Sequence, residues 1–283
     1  MPDATTSVRI DNGGEAQATF AGATAADVIV GGDSGTSGTL TVTSGGTLAT
    51  ASATPSVIGQ SGTGAITITR IGSSWSSTGG LIVGDASGSS GSITVDMGAT
   101  VTTSTDADAE TILANQDGST ASLSVDGDGS ILAAGNTLIG GNAGAASLRV
   151  SSGAALTGDS AVLGAESTGS ATAVVTGLGS SWATSGALTL GNAGSASLTV
   201  EAAASVTAAS AVVGAEATGT GTVKVSGEGS TLAVDGELTL GASGSGDLTV
   251  ESGGSTTADT TTLGADGSGS LTVVGAGTAS PDR

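Results

Sequence analysis

The chain has 283 residues, 51 of them Gly and three aromatic, with five Lys+Arg against 25 Asp+Glu for a net charge of -20. That charge repels phosphate backbones and anionic headgroups, which excludes nucleic acid and anionic membrane surfaces as partners. The absence of Cys and His removes disulfides, Cys/His zinc sites, thiol nucleophiles and every triad built on imidazole.

A hydrophobic fraction of 37% is too high for a chain that cannot bury a core, so periodicity decides between disorder and a repeat array. The opening stretch, MPDATTSVRIDNGGEAQATF, lacks a basic region followed by an apolar core, and no apolar run of about eighteen residues follows. No export signal or membrane span is expected from it. Residues 1–20 read as a segment covering one end, with Phe20 as a plug.

From residue 21 to residue 277 two anchors recur. The first is a short apolar strand closed by Gly, at Gly31, Gly59, Gly84, Gly140, Gly164, Gly191, Gly214, Gly241 and Gly264, with a tenth copy ending at Ala114. Successive copies lie 23 to 30 residues apart. The second follows each as an apolar, variable, apolar triplet, from Leu40-Thr41-Val42 through Leu198-Thr199-Val200 to Leu271-Thr272-Val273. Alternation of this kind points the outer two residues one way and the middle one the other. Arg149 and Lys224 fall in the middle, outward slot.

A third segment closes each unit in two alternating forms. One is G-x-G-S, at Gly127, Gly177 and Gly227, followed by Leu132, Trp182 or Leu232, with Gly72-Ser73-Ser74-Trp75 as a shortened version. The other is a small-residue run such as Gly153-Ala154-Ala155-Leu156. Three positions before the anchor glycine, Val28, Leu81, Leu188 and Leu238 alternate with Ser56, Ala161, Ala211 and Thr261, a pattern that Thr137 breaks. This doubling explains why Gly177–Val200 matches Gly227–Val250 at 14 of 24 positions.

Units of about 25 residues with so few apolar side chains cannot fold alone and must stack. The fold expected is all-β, a single-stranded parallel β-helix of about ten coils, on the order of 50 Å long at the usual strand spacing. Residues 278–283 read as a tail too short to cover the far end, and open strand edges there invite end-to-end self-association.

The run LTLGNAGSASLTV at residues 188–200 and the G-x-G-S-x-W of Gly177–Trp182 resemble the passenger-domain repeats of bacterial autotransporter proteins, a group also met in proteins with PEP-CTERM sorting tails. The resemblance covers about Val28 to Gly277. It implies a right-handed parallel β-helix, exported by type V secretion, displayed at or released from the outer membrane, and commonly an adhesin meeting a host-cell, matrix or glycan surface. The family's signal peptide, C-terminal barrel and sorting tail are not visible in this sequence.

Candidate chemistry is sparse, and no catalytic, cofactor or metal residues are assigned. Asp106, Asp108 and Glu110 sit where the spacing swells, and stacking would gather them with Asp126 and Asp128 on one wall. Clustered carboxylates suit calcium or acid/base hydrolysis of a polysaccharide. The G-G-x-G-x-D calcium repeat is absent, and no Lys, Arg or His lies near, so a solvated loop is the leading reading. Glu166, Glu216 and Asp266 form an acidic row that serves solubility and edge protection. Trp75 and Trp182 could be sugar platforms, but Leu132 and Leu232 replace them, which favours packing. Thr41, Thr67, Thr94, Thr199, Thr249 and Thr272 make an outward stripe, interrupted by Ser124, Arg149, Val174 and Lys224, which argues against an ice-matching face. The expectation is a non-enzymatic rod without cofactor; a hydrolase and a calcium-stabilised spacer are the alternatives.

Overall fold

A computed structural model describes residues 3–106, 108–275 and 278–281. The apolar-variable-apolar triplets become the centre of long strands, typified by Ser195–Glu201, whose residues alternate outward and buried. Eleven such strands form one sheet, from Gly14–Ala18 to Ser268–Val274, in chain order along the stack. The glycine-closed strands and the third segments form two further columns, which join into one 20-stranded sheet through Thr231–Leu240 and Ser255–Leu263. Neighbours pair in parallel and in register: Leu148 lies between Leu123 and Ala173, and Trp182 between Leu156 and Val206. The chain is therefore an all-β parallel solenoid.

One apolar interior runs along the stack. Leu123, Leu148, Leu198 and Leu248 are buried, as are Val125, Val150, Val200 and Val250. Each coil alone would leave this surface wet; stacking removes it from water, and that is the main stabilising contribution.

The large-small alternation is complete once the anchor is read correctly. The left-handed corner residue of the sixth coil is Gly141, with φ 62°, and Gly140 is the last residue of the strand Thr137–Gly140. Gly140 pairs with Leu113 and Leu163, so it stands where other coils carry Leu or Val. Counting back from Gly141 puts Leu138, not Thr137, into the column. That column then reads Ser56, Leu81, Thr111, Leu138, Ala161, Leu188, Ala211, Leu238 and Thr261, each in register with the next. Dense packing explains it, since a large side chain fills the volume that its small neighbours leave.

The corner before the third segment also alternates. In one coil type it has two successive residues at positive φ, such as Ser152 and Gly153 (58° and 85°), the pattern of a type I′ turn. In the other it is G-x-G-S. Gly72-Ser73-Ser74-Trp75 is not a shortened version of that motif: Arg70, at φ 77°, occupies the first-glycine position, followed by Ile71, Gly72 and Ser73. The motif serine then has a clear role. Ser73, Ser130, Ser180 and Ser230 are buried, and their hydroxyls accept hydrogen bonds from Gly45, Gly98, Gly153 and Ala203 backbone N–H groups, one coil earlier.

The segment read as an end cover starts the stack itself. Val8–Ile10 pairs with Val28–Val30, and Gly14–Ala18 with Ser37–Val42. Phe20 is 49% exposed at this end. At the other end Thr278–Pro281 adds a strand beside Ser255–Ala258. The boundary at residue 277, like Met1, Pro2, Ala107, Asp282 and Arg283, lies outside the described residues.

Candidate functional surface

Three corners and three strand columns decide which side chains can meet. Asp106, Asp108 and Glu110 lie in the long corner between Thr100–Thr103 and Thr111–Leu113. Asp126 ends the long strand Thr120–Asp126, and Asp128 follows in the G-x-G-S corner. The stack therefore separates the two groups onto different corners, and the five-carboxylate wall expected from the sequence does not form. A swollen spacing shows that a coil has extra residues but not at which corner they sit. No group of three or more acidic residues able to hold a metal ion occurs among the described residues.

Two of the five acids, Asp106 and Asp126, have a local role. The Ser104 hydroxyl donates to Asp106 at 2.8 Å, closing its own loop. The Ser151 hydroxyl donates to Asp126 at 2.6 Å across the coil boundary. Hydrogen bonds from Ser151 and then Ser152 hold the Asp126 carboxyl below its ordinary value; burial opposes them, and the Arg149 charge adds to the lowering. In the acidic row, the Asn192 amide donates to Glu216 at 3.2 Å and to the Ala165 carbonyl at 3.1 Å. A second amide chain, Asn142 to Asn115 to Asp85, runs along the same corner at 3.0 and 2.7 Å. The sequence signal for these ladders is the Asn just after the anchor, at Asn115, Asn142 and Asn192.

Trp75 and Trp182 are 1% exposed, which removes them as sugar platforms and places them in the core. The Trp75 indole N–H donates to the Thr50 hydroxyl at 3.3 Å, so its polar atom is satisfied inside.

What faces outward is hydroxyl-rich. On the eleven-stranded sheet the middle residues of the triplets, Thr41, Thr67, Thr94, Ser124, Thr199 and Thr249, point away from the interior. Two residues earlier in each strand a parallel outward row contains Thr39, Ser92, Ser122, Ser147, Thr172, Ser197 and Thr222. At about 4.8 Å per coil the two rows span on the order of 50 Å. Arg149, Val174 and Lys224 interrupt the middle row; Lys224 is tied to Glu251 one coil on, at 2.7 Å. The Glu251 interaction raises the Lys224 ammonium value, and Lys224 lowers that of Glu251. A cleft of about 490 Å³ lies beside the long corner, among Thr105, Asn136, Thr157, Asp159 and Ser185.

No protein-family model matches this chain, and no curated protein matches it. Among solved structures, it is similar to a TibC-catalysed, hyper-glycosylated TibA55-350 fragment. Identity is 16%, the alignment covers 98% of this chain and 95% of that chain, and the TM-score is 0.30. So loose a likeness places the chain in no family. No helix among the described residues is long and apolar enough to cross a membrane.

Proposed function

We propose that this protein is a non-catalytic rod that works outside the cell, presenting the hydroxyl-rich face of its eleven-stranded sheet to a host-cell, matrix or glycan surface. The observation that carries this reading is the pair of outward Ser/Thr rows repeated coil after coil on a rigid, continuously packed support. Many weak hydroxyl contacts on a fixed lattice favour avidity over chemistry, because each contact after the first is made at high effective concentration. The resemblance of residues 188–200 to autotransporter passenger repeats supports a surface or secreted location. The placement of Asp106 and Asp108 on a different corner from Asp126 and Asp128 supports the non-catalytic reading over a hydrolase built on all of them.

The test is adhesion of beads coated with the 283-residue chain to glycan-coated and matrix-protein-coated surfaces. Retention above that of a charge-matched control, reduced by Thr94→Lys and Thr199→Lys on the outward row, is expected. Retention equal to the control on every surface, or polysaccharide hydrolysis abolished by Asp106→Asn, overturns the reading.

A further inference from the structure

The two ends of the stack differ in a complementary way. At the start, Ala16 and Ala18 occupy the positions that Leu40 and Val42 hold in the next coil, with which they are in register. The missing volume leaves an apolar cavity of about 360 Å³, lined by Val8, Ile10, Ala16, Ala18, Phe20 and Leu48 among others. At the other end, the same column finishes with Leu271 and Val273, which are 36% and 47% exposed, whereas their counterparts Leu248 and Val250 are buried. Leu263, also at that end, is 47% exposed. Among the described residues, Gly14–Ala18 pairs only with the strand after it and Ser268–Val274 only with the strand before it. Each therefore offers an unpaired row of backbone groups pointing along the axis, one up and one down.

Adding one more coil by the rule that relates every neighbouring pair would set Gly269 against Gly14, Leu271 against Ala16 and Val273 against Ala18. Gly against Gly continues a column that is glycine or alanine throughout, as in Gly14–Gly38, Gly38–Gly64 and Gly246–Gly269. Outward, the same register opposes Glu15 to Ser270 and Gln17 to Thr272, so no like charges meet there in a chain whose net charge is -20. We infer that the last coil of one copy seats on the first coil of a second, with Leu271 and Val273 filling the cavity over Ala16 and Ala18 and the parallel stack running on. The occupant of the cavity is thus a second copy, and the contact continues the coil-to-coil interface already present within the chain. It is heterologous and does not close, so copies add head to tail.

Sedimentation velocity on the 283-residue chain tests this, with two sets of variants checked for folding by circular dichroism. Leu271→Asp with Val273→Asp spoils the donating end; Val273→Asp alone, at a side chain already half in water, is the milder form. Ala16→Lys spoils the accepting end. The parent chain should give a concentration-dependent series of whole-number multiples, and each variant alone should stay monomeric at the same concentrations. An equal mixture of the two should form dimers and nothing larger, because each supplies the one good end the other lacks. A parent chain that is monomeric at its highest soluble concentration, multimers that persist in both variants, or a mixture that stays monomeric overturns the inference.

Discussion

The hydroxyl of Ser180 accepts a hydrogen bond from the backbone N–H of Gly153, one coil earlier, at 2.9 Å. Without that acceptor the part-buried N–H loses its hydrogen-bond partner in the protein. Ser180→Ala should destabilise the chain by about 0.5–1.5 kcal/mol, the net range for one intramolecular hydrogen bond. Ser230→Ala should do the same through Ala203 N. Urea denaturation checks both; a loss below about 0.3 kcal/mol would show that the motif serine is there for its size alone.

Ala203 stands at φ 64°, where the equivalent corners have Gly45, Gly98, Gly153 and Gly253. A Cβ in this region is strained by about 1–2 kcal/mol, part of which is returned by the smaller conformational freedom of Ala in the unfolded chain. Ala203→Gly should therefore stabilise by about 0.5–1 kcal/mol, read as a rise in the melting temperature.

Leu188 is in register with Ala161 and Ala211. Leu188→Ala should cost about 2–5 kcal/mol through the cavity left behind. Ala161→Leu should cost about 1–3 kcal/mol by overpacking against Leu138 and Leu188. The double substitution should recover part of the sum, because the two volume errors compensate, and a double-mutant cycle measures the coupling. Strict additivity would contradict a shared interior.

Thr111 is fully buried in the same column, and its hydroxyl has no hydrogen-bond partner among the described residues. Thr111→Val keeps the branched shape and removes the unmet desolvation, so it should stabilise by about 1 kcal/mol or more. Chemical denaturation decides the sign.

The acid limb of stability follows from carboxylates whose values are lowered by folding. Asp126 is lowered chiefly by its Ser151 hydrogen bond, and Glu251 by Lys224. At Asp11, burial pushes upward but is outweighed by donors from Gly32 N, Arg9 and Thr36 and by the Arg9 charge. A depressed folded value means these contributions are full above the unfolded carboxylate range and are lost as pH falls through the folded values, which lie below the ordinary 3.8 of Asp for Asp11 and Asp126 and below the ordinary 4.5 of Glu for Glu251. Asp126→Asn should make stability less pH-dependent in that window, by urea midpoints measured from pH 5 to pH 2.

How much of this was legible depended on what each signal encodes. Strand columns, inward and outward faces and the parallel stack could all be read from Leu198-Thr199-Val200 and its copies, because alternation and a fixed period are one-dimensional properties that stacking merely repeats. The Trp75 and Trp182 packing was legible for the same reason, since aliphatic residues replace them in register. Gly140 misled because two adjacent glycines, Gly140 and Gly141, leave the corner ambiguous by one residue, and only the pairing of Gly140 with Leu113 resolves it. Arg70 hid a full-length corner because a side chain had taken a position that elsewhere belongs to glycine.

By itself, then, the sequence determined the all-β class, the shared interior and the two-coil alternation, since each follows from periodicity and volume along the chain. Tertiary structure alone decided that Asp106 and Asp126 lie on different corners, that Ser180 bonds Gly153, and that an under-filled first coil lies at one end and exposed Leu271 at the other. Those facts depend on how the extra residues of each coil are divided among its corners and on which coil follows which. Spacing along the chain sums over the corners and so cannot tell them apart.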